Sequence, residues 1–451
     1  MADARPFHWE FRPEPIAVEA LRVEGGRPLV GTVPIGGAKN AALKLLAAAT
    51  LTGERCRFTN VPEIEDVRVM AETLRDLGVV VDHPERNVYE VASGDVEWLF
   101  VPLEAAAKMR ASFILLGPLL ARFGRVIISN PGGDRIGRRP VNLHVDAMRA
   151  LGAEIEYRNG YYFARAPGRL RGAEIRFPNV SVMGTENAML AAAVADGHTV
   201  IRPAAQEPEV DDLIAFLQKM GAEIERTYPD TIEIEGRKRL RGAEHRVVPD
   251  RIEAGTFVVA AAVTGGRVSL EGAPCDHLGA FIEVLGRAGV EITCGRDTIE
   301  VNGQGLPDYR AVDVETAPYP GFATDLQPPT CVLLTQARGT SRVHETIFED
   351  RLEFLGELGR MGADVRQIDP HHATITGPGP LHGAEVEIGD LRAGASLILA
   401  ALAADGVTTI RGEHHVNRGY ENIEAKFLDL GARIDRLPDP TPTEGNVVTL
   451  S

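Results

Sequence analysis

Cysteine, surplus positive charge and long apolar runs are all wanting in this chain, and each shortage excludes a class of protein. Four cysteines among 451 residues (Cys56, Cys275, Cys294 and Cys331) are scattered and form no CxxC. That spacing argues against a disulfide framework and against a zinc site. Lysine and arginine number 48 against 64 aspartate and glutamate, a formal net charge of −16. So acidic a chain is not expected to take nucleic acid or an anionic membrane as its partner. No stretch reaches 18 uninterrupted apolar residues, and the opening MADARPFHWEFRPEP lacks an apolar signal core. A cytoplasmic protein without a membrane span is therefore expected. His144, His371–His372 and His414–His415 lack spacing of the HExxH kind, so they read as structural or surface residues. Neither a metal nor another cofactor is expected.

What the chain does have is a repeat. A small-residue helix stop recurs at Gly78, Gly152, Gly221, Gly289, Gly362 and Gly431, about 70 residues apart each time. An earlier glycine closes an Ala/Leu-rich run in each copy: Gly53, Gly124, Gly197, Gly266, Gly339 and Gly406. Glycine just past a helix takes the left-handed conformation at little steric cost. The unit reads as helix, Gly stop, strand, turn, second helix, Gly stop, strand. Units this long exceed the roughly 20–50 residues of a solenoid repeat. A single core also stops growing at roughly 250–300 residues. Two lobes of three units each are therefore expected, with the halves meeting near residue 248.

The first helix of each unit (40–52, 110–121, 185–195, 254–263, 327–335 and 393–403) is nearly free of charge. Helices that are apolar all round are buried ones. The second is amphipathic, as Val67–Leu77 shows, so an inside-out α/β lobe follows, with buried helices at its centre. Residues 1–18 read as a loose extension and 437–445 (LPDPTPTEG) as a tail. The buried helices start with polar or cationic groups, including Lys39-Asn40, Arg110 and Arg392. Six helix N-termini converging from two lobes make an anion site. Further arginines stand in turn segments: Arg135, Arg138, Arg139, Arg351 and Arg418.

These same segments carry a family resemblance. GGAKNAALK (36–44), KMRASFILLGPLLARFG (108–124), NPGGDRIGRRPVNLH (130–144), PDRIEAGTFVVAAA (249–262), PYPGFATDLQP (318–328), ETIFEDR (345–351), DLRAGASLILA (390–400) and NRGYENIEAK (417–426) resemble the bacterial UDP-N-acetylglucosamine 1-carboxyvinyltransferases. The resemblance runs from about Leu21 to Ile434 and extends, more distantly, to the shikimate-pathway enolpyruvyl transferase. It implies a two-domain inside-out α/β barrel, the enolpyruvyl transferase fold, with three repeats per domain. One lobe would hold residues 39–248. The other would hold 249–451 with 1–38, the N-terminal strand joining the C-terminal lobe.

The implied reaction moves enolpyruvate from phosphoenolpyruvate to the 3-hydroxyl of UDP-N-acetylglucosamine, the first committed step of peptidoglycan synthesis. Lys39, Asn40, Arg139, Arg351, Arg392 and Arg418 would hold phosphoenolpyruvate, through planar guanidinium forks that suit its phosphate and carboxylate. Arg110, Arg139, Pro140, Val141, Asn142, Leu143, Asn179, Val180, Ser181, Val182, Asp325 and Ile347 would hold the nucleotide sugar. Asp325, which a helix-capping role would also suit, would accept the hydroxyl proton. Lys39, Asp134 and Asp325 would be the catalytic set.

Three positions depart from the family pattern. Asp134 stands where most relatives have the cysteine that fosfomycin alkylates. It can deliver a proton to the enolpyruvate methylene, although neighbouring Arg135 would favour its ionised form. Asn142 replaces the acid that reads uracil, and an amide can still donate or accept there. Met183 replaces a small glycine near the pyrophosphate and brings bulk to that backbone. Two other functions compete: a transferase acting on shikimate 3-phosphate, whose branch the GGAKN and GGDRIGRRPVNLH segments do not resemble, and a non-catalytic phosphosugar-binding relative.

Overall fold

The computed structural model describes residues 19–94, 96, 99–303 and 308–438. The expected extension over 1–18, and the tail from 439 on, lie outside the described residues. Leu437 and Pro438, expected to open that tail, instead close the last strand (Arg433–Pro438), where they pair with Ala20 and Glu19.

Six pairs of helices carry the repeat. The first half contains α1 (Lys39–Ala48) with α2 (Glu65–Asp76), α3 (Leu116–Phe123) with α4 (Asn142–Ala150), and α5 (Val182–Ala192) with α6 (Pro208–Lys219). The second half contains α7 (Arg251–Val263) with α8 (Gly279–Ala288), α9 (Gln327–Thr335) with α10 (Leu355–Arg360), and α11 (Leu391–Ala403) with α12 (Ile423–Asp429). Every residue of α7 and α9 is buried, because apolar side chains on all sides are satisfied only by full enclosure. Helix α2 turns Val67, Met70 and Leu74 inward and leaves Arg68 and Arg75 exposed. The six late repeat glycines all have φ between +92° and +97°, where a side chain is strained. Gly53 and Gly266 do not take that conformation, and Gly265 (φ +66°) turns the chain in place of Gly266.

The expected helix over 110–121 is interrupted. A 3₁₀ turn, Arg110–Leu115, leads into α3. Asn187 of α5 explains the break: its side chain accepts from Gly117 N at 2.6 Å and donates to Phe113 O at 2.9 Å. Those are the two groups an unbroken helix would have joined to each other.

Strand content exceeds the expected unit. Each unit contributes to a four-stranded sheet, and there are six such sheets among the described residues. After α2, for example, Val80–Glu85 and Val88–Ala92 form an antiparallel hairpin. Such strands show only a few inward apolar residues each, too few for a clear period-two signal. Two separate cores result, one drawn from residues 38–247 and the other from 21–35 together with 252–434. Strands Glu19–Glu24 and Val30–Pro34 complete sheets of the second core. Glu244–Arg246 closes back onto Arg55–Thr59 in the first. The chain therefore crosses between lobes twice, side by side: Ala38 N donates to Val248 O at 2.7 Å and Asp250 N to Gly36 O at 2.8 Å.

No helix among the described residues is long and apolar enough to cross a membrane. The cysteines are less scattered than their spacing implies, since Cys275 and Cys294 flank α8 and form a disulfide. Cys56 and Cys331 are buried thiols.

Candidate active site

Between the lobes lies a cavity of about 550 Å³. The starts of α1, α5 and α11, the Thr324–Leu326 turn before α9 and the Arg110–Leu115 turn reach it, with loops 133–140 and 347–351. Helix α7, the sixth of the set, begins instead beside an adjoining chamber of about 270 Å³, which Arg251 lines. Lys39, Asn40, Arg110, Asp134, Arg139, Pro140, Asn142, Leu143, Asn179, Val180, Ser181, Val182, Asp325, Ile347, Arg351, Arg392 and Arg418 all line the main cavity. Val141 does not. Its side chain belongs to the first-lobe core and reaches only a shallower neighbouring cavity. Met183 lines both main chambers and also packs on the first-lobe core.

Most cations here have acidic partners, and the pairing spans the lobes. Arg418, from the second lobe, donates from Nε to Asp66 at 3.0 Å and from Nη1 to the Asp134 carboxylate. Asp66 also holds Lys39 Nζ at 2.7 Å. Across the cavity Asp325 accepts from Arg351 Nη2 at 2.9 Å and from Arg392 Nε at 3.3 Å. Burial would raise the Asp325 pKa, but Arg392 and Arg351 outweigh it and hold the carboxyl well below the usual range. Asp325 makes no capping bond. Asp250 and Asp390 cap α7 and α11 instead, each accepting two backbone N–H bonds from its own helix. Arg135, expected to bear on Asp134, is exposed, and Arg418 takes that place.

Two cations differ. Arg110 donates to the Arg139 carbonyl, and Arg139 to the Asp134 backbone oxygen at 2.7 Å. Burial, then the charge of Arg139, brings the Arg110 pKa down to about 10. Burial likewise lowers that of Arg139. Buried donors also remain elsewhere: Arg351 Nε and Arg392 Nη1 have no hydrogen-bond partner among the described residues. A polyanion in the cavity would pair with Arg110 and Arg139, which line it.

Asp66 was absent from the expected set. A signal existed: on helix α2 it falls on the face of Met70 and Thr73, where an acid is out of place. His144, expected to be a structural or surface residue, lines the cavity, its Nδ1 accepting from Asn187 at 2.9 Å. Burial, then Arg110, lowers its pKa to about 3. The unfolded chain takes up a proton below about pH 6.5 that the folded imidazole refuses. Stability therefore falls as pH drops from 6.5 toward 3. Between pH 7.5 and 5 the loss from this one group should reach about 2 kcal/mol. Urea midpoints at the two pH values should differ less in His144→Gln than in the parent chain. An equal shift in both would show that other groups govern the acid limb.

The fold and this cation-lined interlobe cavity define the class. A solved enolpyruvyl transferase, NikO from Streptomyces tendae, superposes with a TM-score of 0.85 at 27% identity, covering 94% of this chain and 100% of that one. An EPSP synthase from Acinetobacter baumannii, 20% identical with a TM-score of 0.73 over 93% of this chain and 100% of its own, shares the fold. The family model for EPSP synthase (3-phosphoshikimate 1-carboxyvinyltransferase) matches residues 23–427. The UDP-N-acetylglucosamine 1-carboxyvinyltransferase of Shewanella denitrificans is 47% identical over 420 residues, 93% of this chain and 100% of that protein. The UDP-N-acetylglucosamine 1-carboxyvinyltransferase 1 of Caldanaerobacter subterraneus is 48% identical over 416 residues, 92% and 98% of the two chains. The chain thus belongs to the enolpyruvyl transferases of the EPSP synthase family, and within them to the UDP-N-acetylglucosamine 1-carboxyvinyltransferases.

Proposed function

We propose that this protein transfers the enolpyruvyl group of phosphoenolpyruvate to the 3-hydroxyl of UDP-N-acetylglucosamine, releasing phosphate, as the first committed step of peptidoglycan synthesis in the cytoplasm. Relatives of that name at about half identity support the substrates. The observation that carries the chemistry is the cavity itself, where Lys39, Arg139, Arg351, Arg392 and Arg418 from both lobes surround two carboxylates, Asp134 and Asp325.

In this reading the phosphate and carboxylate of phosphoenolpyruvate compete with Asp325 and Asp134 for their guanidinium partners. Asp325, released from Arg351 and Arg392, accepts the proton of the sugar 3-hydroxyl as its oxygen bonds to C2. Asp134, released from Arg418 and then protonated from solvent, gives that proton to C3, and a tetrahedral phospholactoyl adduct forms. Loss of a proton from C3 and of phosphate from C2 then restores the double bond. Lys39 and the arginines stabilise the charged adduct, the kind of preorganised electrostatics that supplies most of many rate enhancements. Arg110, Asn142 and the 179–182 segment hold the nucleotide sugar. The test is phosphate release from phosphoenolpyruvate with either UDP-N-acetylglucosamine or shikimate 3-phosphate as acceptor. Release is expected with the first alone. Turnover of shikimate 3-phosphate, or no release with either, would overturn the reading.

A further inference from the structure

Helix α1 is almost free of charge, and its one lysine past the start is buried: Lys44 is only 4% exposed. An ammonium removed from water costs several kcal/mol unless it is well paired. Its counter-ion is Glu186, 0% exposed on the second turn of α5, with a closest approach of 3.5 Å. Neither Glu186 carboxylate oxygen has a hydrogen-bond partner among the described residues. Burial drives that carboxyl up to about 7 despite Lys44, with Glu209 and Glu207 adding to the rise. At 3.5 Å the two form a loose ion pair.

The ammonium carries three donors. One reaches the Asn40 carbonyl oxygen at 2.5 Å. Lys44 also lines both the main cavity and the adjoining chamber, beside Val180, Val182 and Met183. Glu207, Glu209 and Asp325 share the adjoining chamber but take no hydrogen bond from Lys44 among the described residues, so its remaining donor capacity faces a space that a ligand can enter. Because Glu186 offsets part of its charge, Lys44 adds less to the attraction of a phosphate than Arg110 or Arg139. A neutral oxygen suits it.

We infer that Lys44 is a further substrate-binding residue, donating to a neutral oxygen of the acceptor sugar, an acetamido carbonyl or a ring hydroxyl, while Glu186 positions it from behind. The inference rests on the function proposed above. Glu186 is a positioning residue, since its oxygens are sealed from the cavity.

The test uses the full chain with Lys44→Met and with the double variant Lys44→Met/Glu186→Met. The single change leaves a buried carboxylate unpaired and should lower Tm. The double change replaces the pair by apolar groups, which is often neutral or stabilising, and should restore Tm. Both should raise KM for UDP-N-acetylglucosamine by about tenfold or more, the effect of losing one hydrogen bond from a charged donor. KM for phosphoenolpyruvate should stay within about twofold, because uniform binding of one substrate is what is lost. UDP-glucose as alternative acceptor identifies the oxygen. If the double variant loses the parent's preference for the acetamido sugar, the carbonyl is the partner; if the preference persists with the raised KM, a hydroxyl is. A double variant with the parent's sugar KM, or a defect confined to phosphoenolpyruvate, would overturn the inference. Absence of turnover in the parent chain would instead strike the proposed function itself.

Discussion

Arg418→Ala should lower kcat by about a thousandfold or more, and Lys39→Ala should follow closely, with the far-UV spectrum of both unchanged. Removing one preorganised donor from a transition-state site typically costs about 10²–10³ in kcat. Arg418 does more than donate. It alone among the described residues ties the second lobe to both Asp66 and Asp134 of the first. Without it those two carboxylates face the cavity with less compensation and repel an anionic substrate. Lys39 shares Asp66 with Arg418, so either deletion also loosens the other cation. Asp66→Asn separates positioning from contact: both cations remain, but the carboxylate that fixes them is gone. We expect a fall of about 10- to 100-fold for it, smaller than for either cation. Initial-rate measurements of phosphate release decide the matter. A near-normal kcat in Lys39→Ala or Arg418→Ala would show that the anion site lies elsewhere.

Treatment with fosfomycin should leave this protein unmodified and active. Asp134 lies in the loop over the cavity, beside Gly133 at φ +103°, and neither free cysteine is near: Cys56 and Cys331 are buried within the two cores. A carboxylate is a poor nucleophile toward an epoxide compared with a thiolate. Asp134→Cys should therefore gain time-dependent inactivation, with one adduct visible by mass spectrometry, and keep much of its turnover, since both side chains can donate a proton. Asp134→Ala should lose about 10²–10⁴ of the rate, the usual share of general acid catalysis. The pH profile should move between the Asp and Cys forms, because their ordinary pKa values differ by roughly four to five units. A covalent adduct on the parent chain that blocks activity would remove Asp134 from the acid's role.

Much of this was legible in the amino-acid sequence, for a local reason. The repeat glycines, the charge-free helices and the amphipathic ones each announce themselves within a dozen residues, because helix burial and helix stops are set by neighbours along the chain. Lys39, Arg110 and Arg392 were conspicuous as cations at helix starts, and the family resemblance supplied Asp134, Asp325, Arg351 and Arg418. The hairpins were hidden by their few inward apolar residues, and the break before α3 by its dependence on Asn187, 70 residues from Gly117.

Which charge meets which was decided by tertiary structure alone. Asp134 and Arg418 are 284 residues apart in the chain, and Asp66 and Arg418 are 352. No periodicity reaches across such distances. Val141 turns into the core although its neighbours on both sides line the cavity. Lys44 looks like an ordinary lysine until Glu186, on another helix, is seen beside it. The sequence determined where helices are buried and where cations stand at their starts. Only the packing of two lobes determined which of those cations have partners and which donors are left for a ligand, because a buried charge is governed by whatever the fold brings within a few ångströms of it.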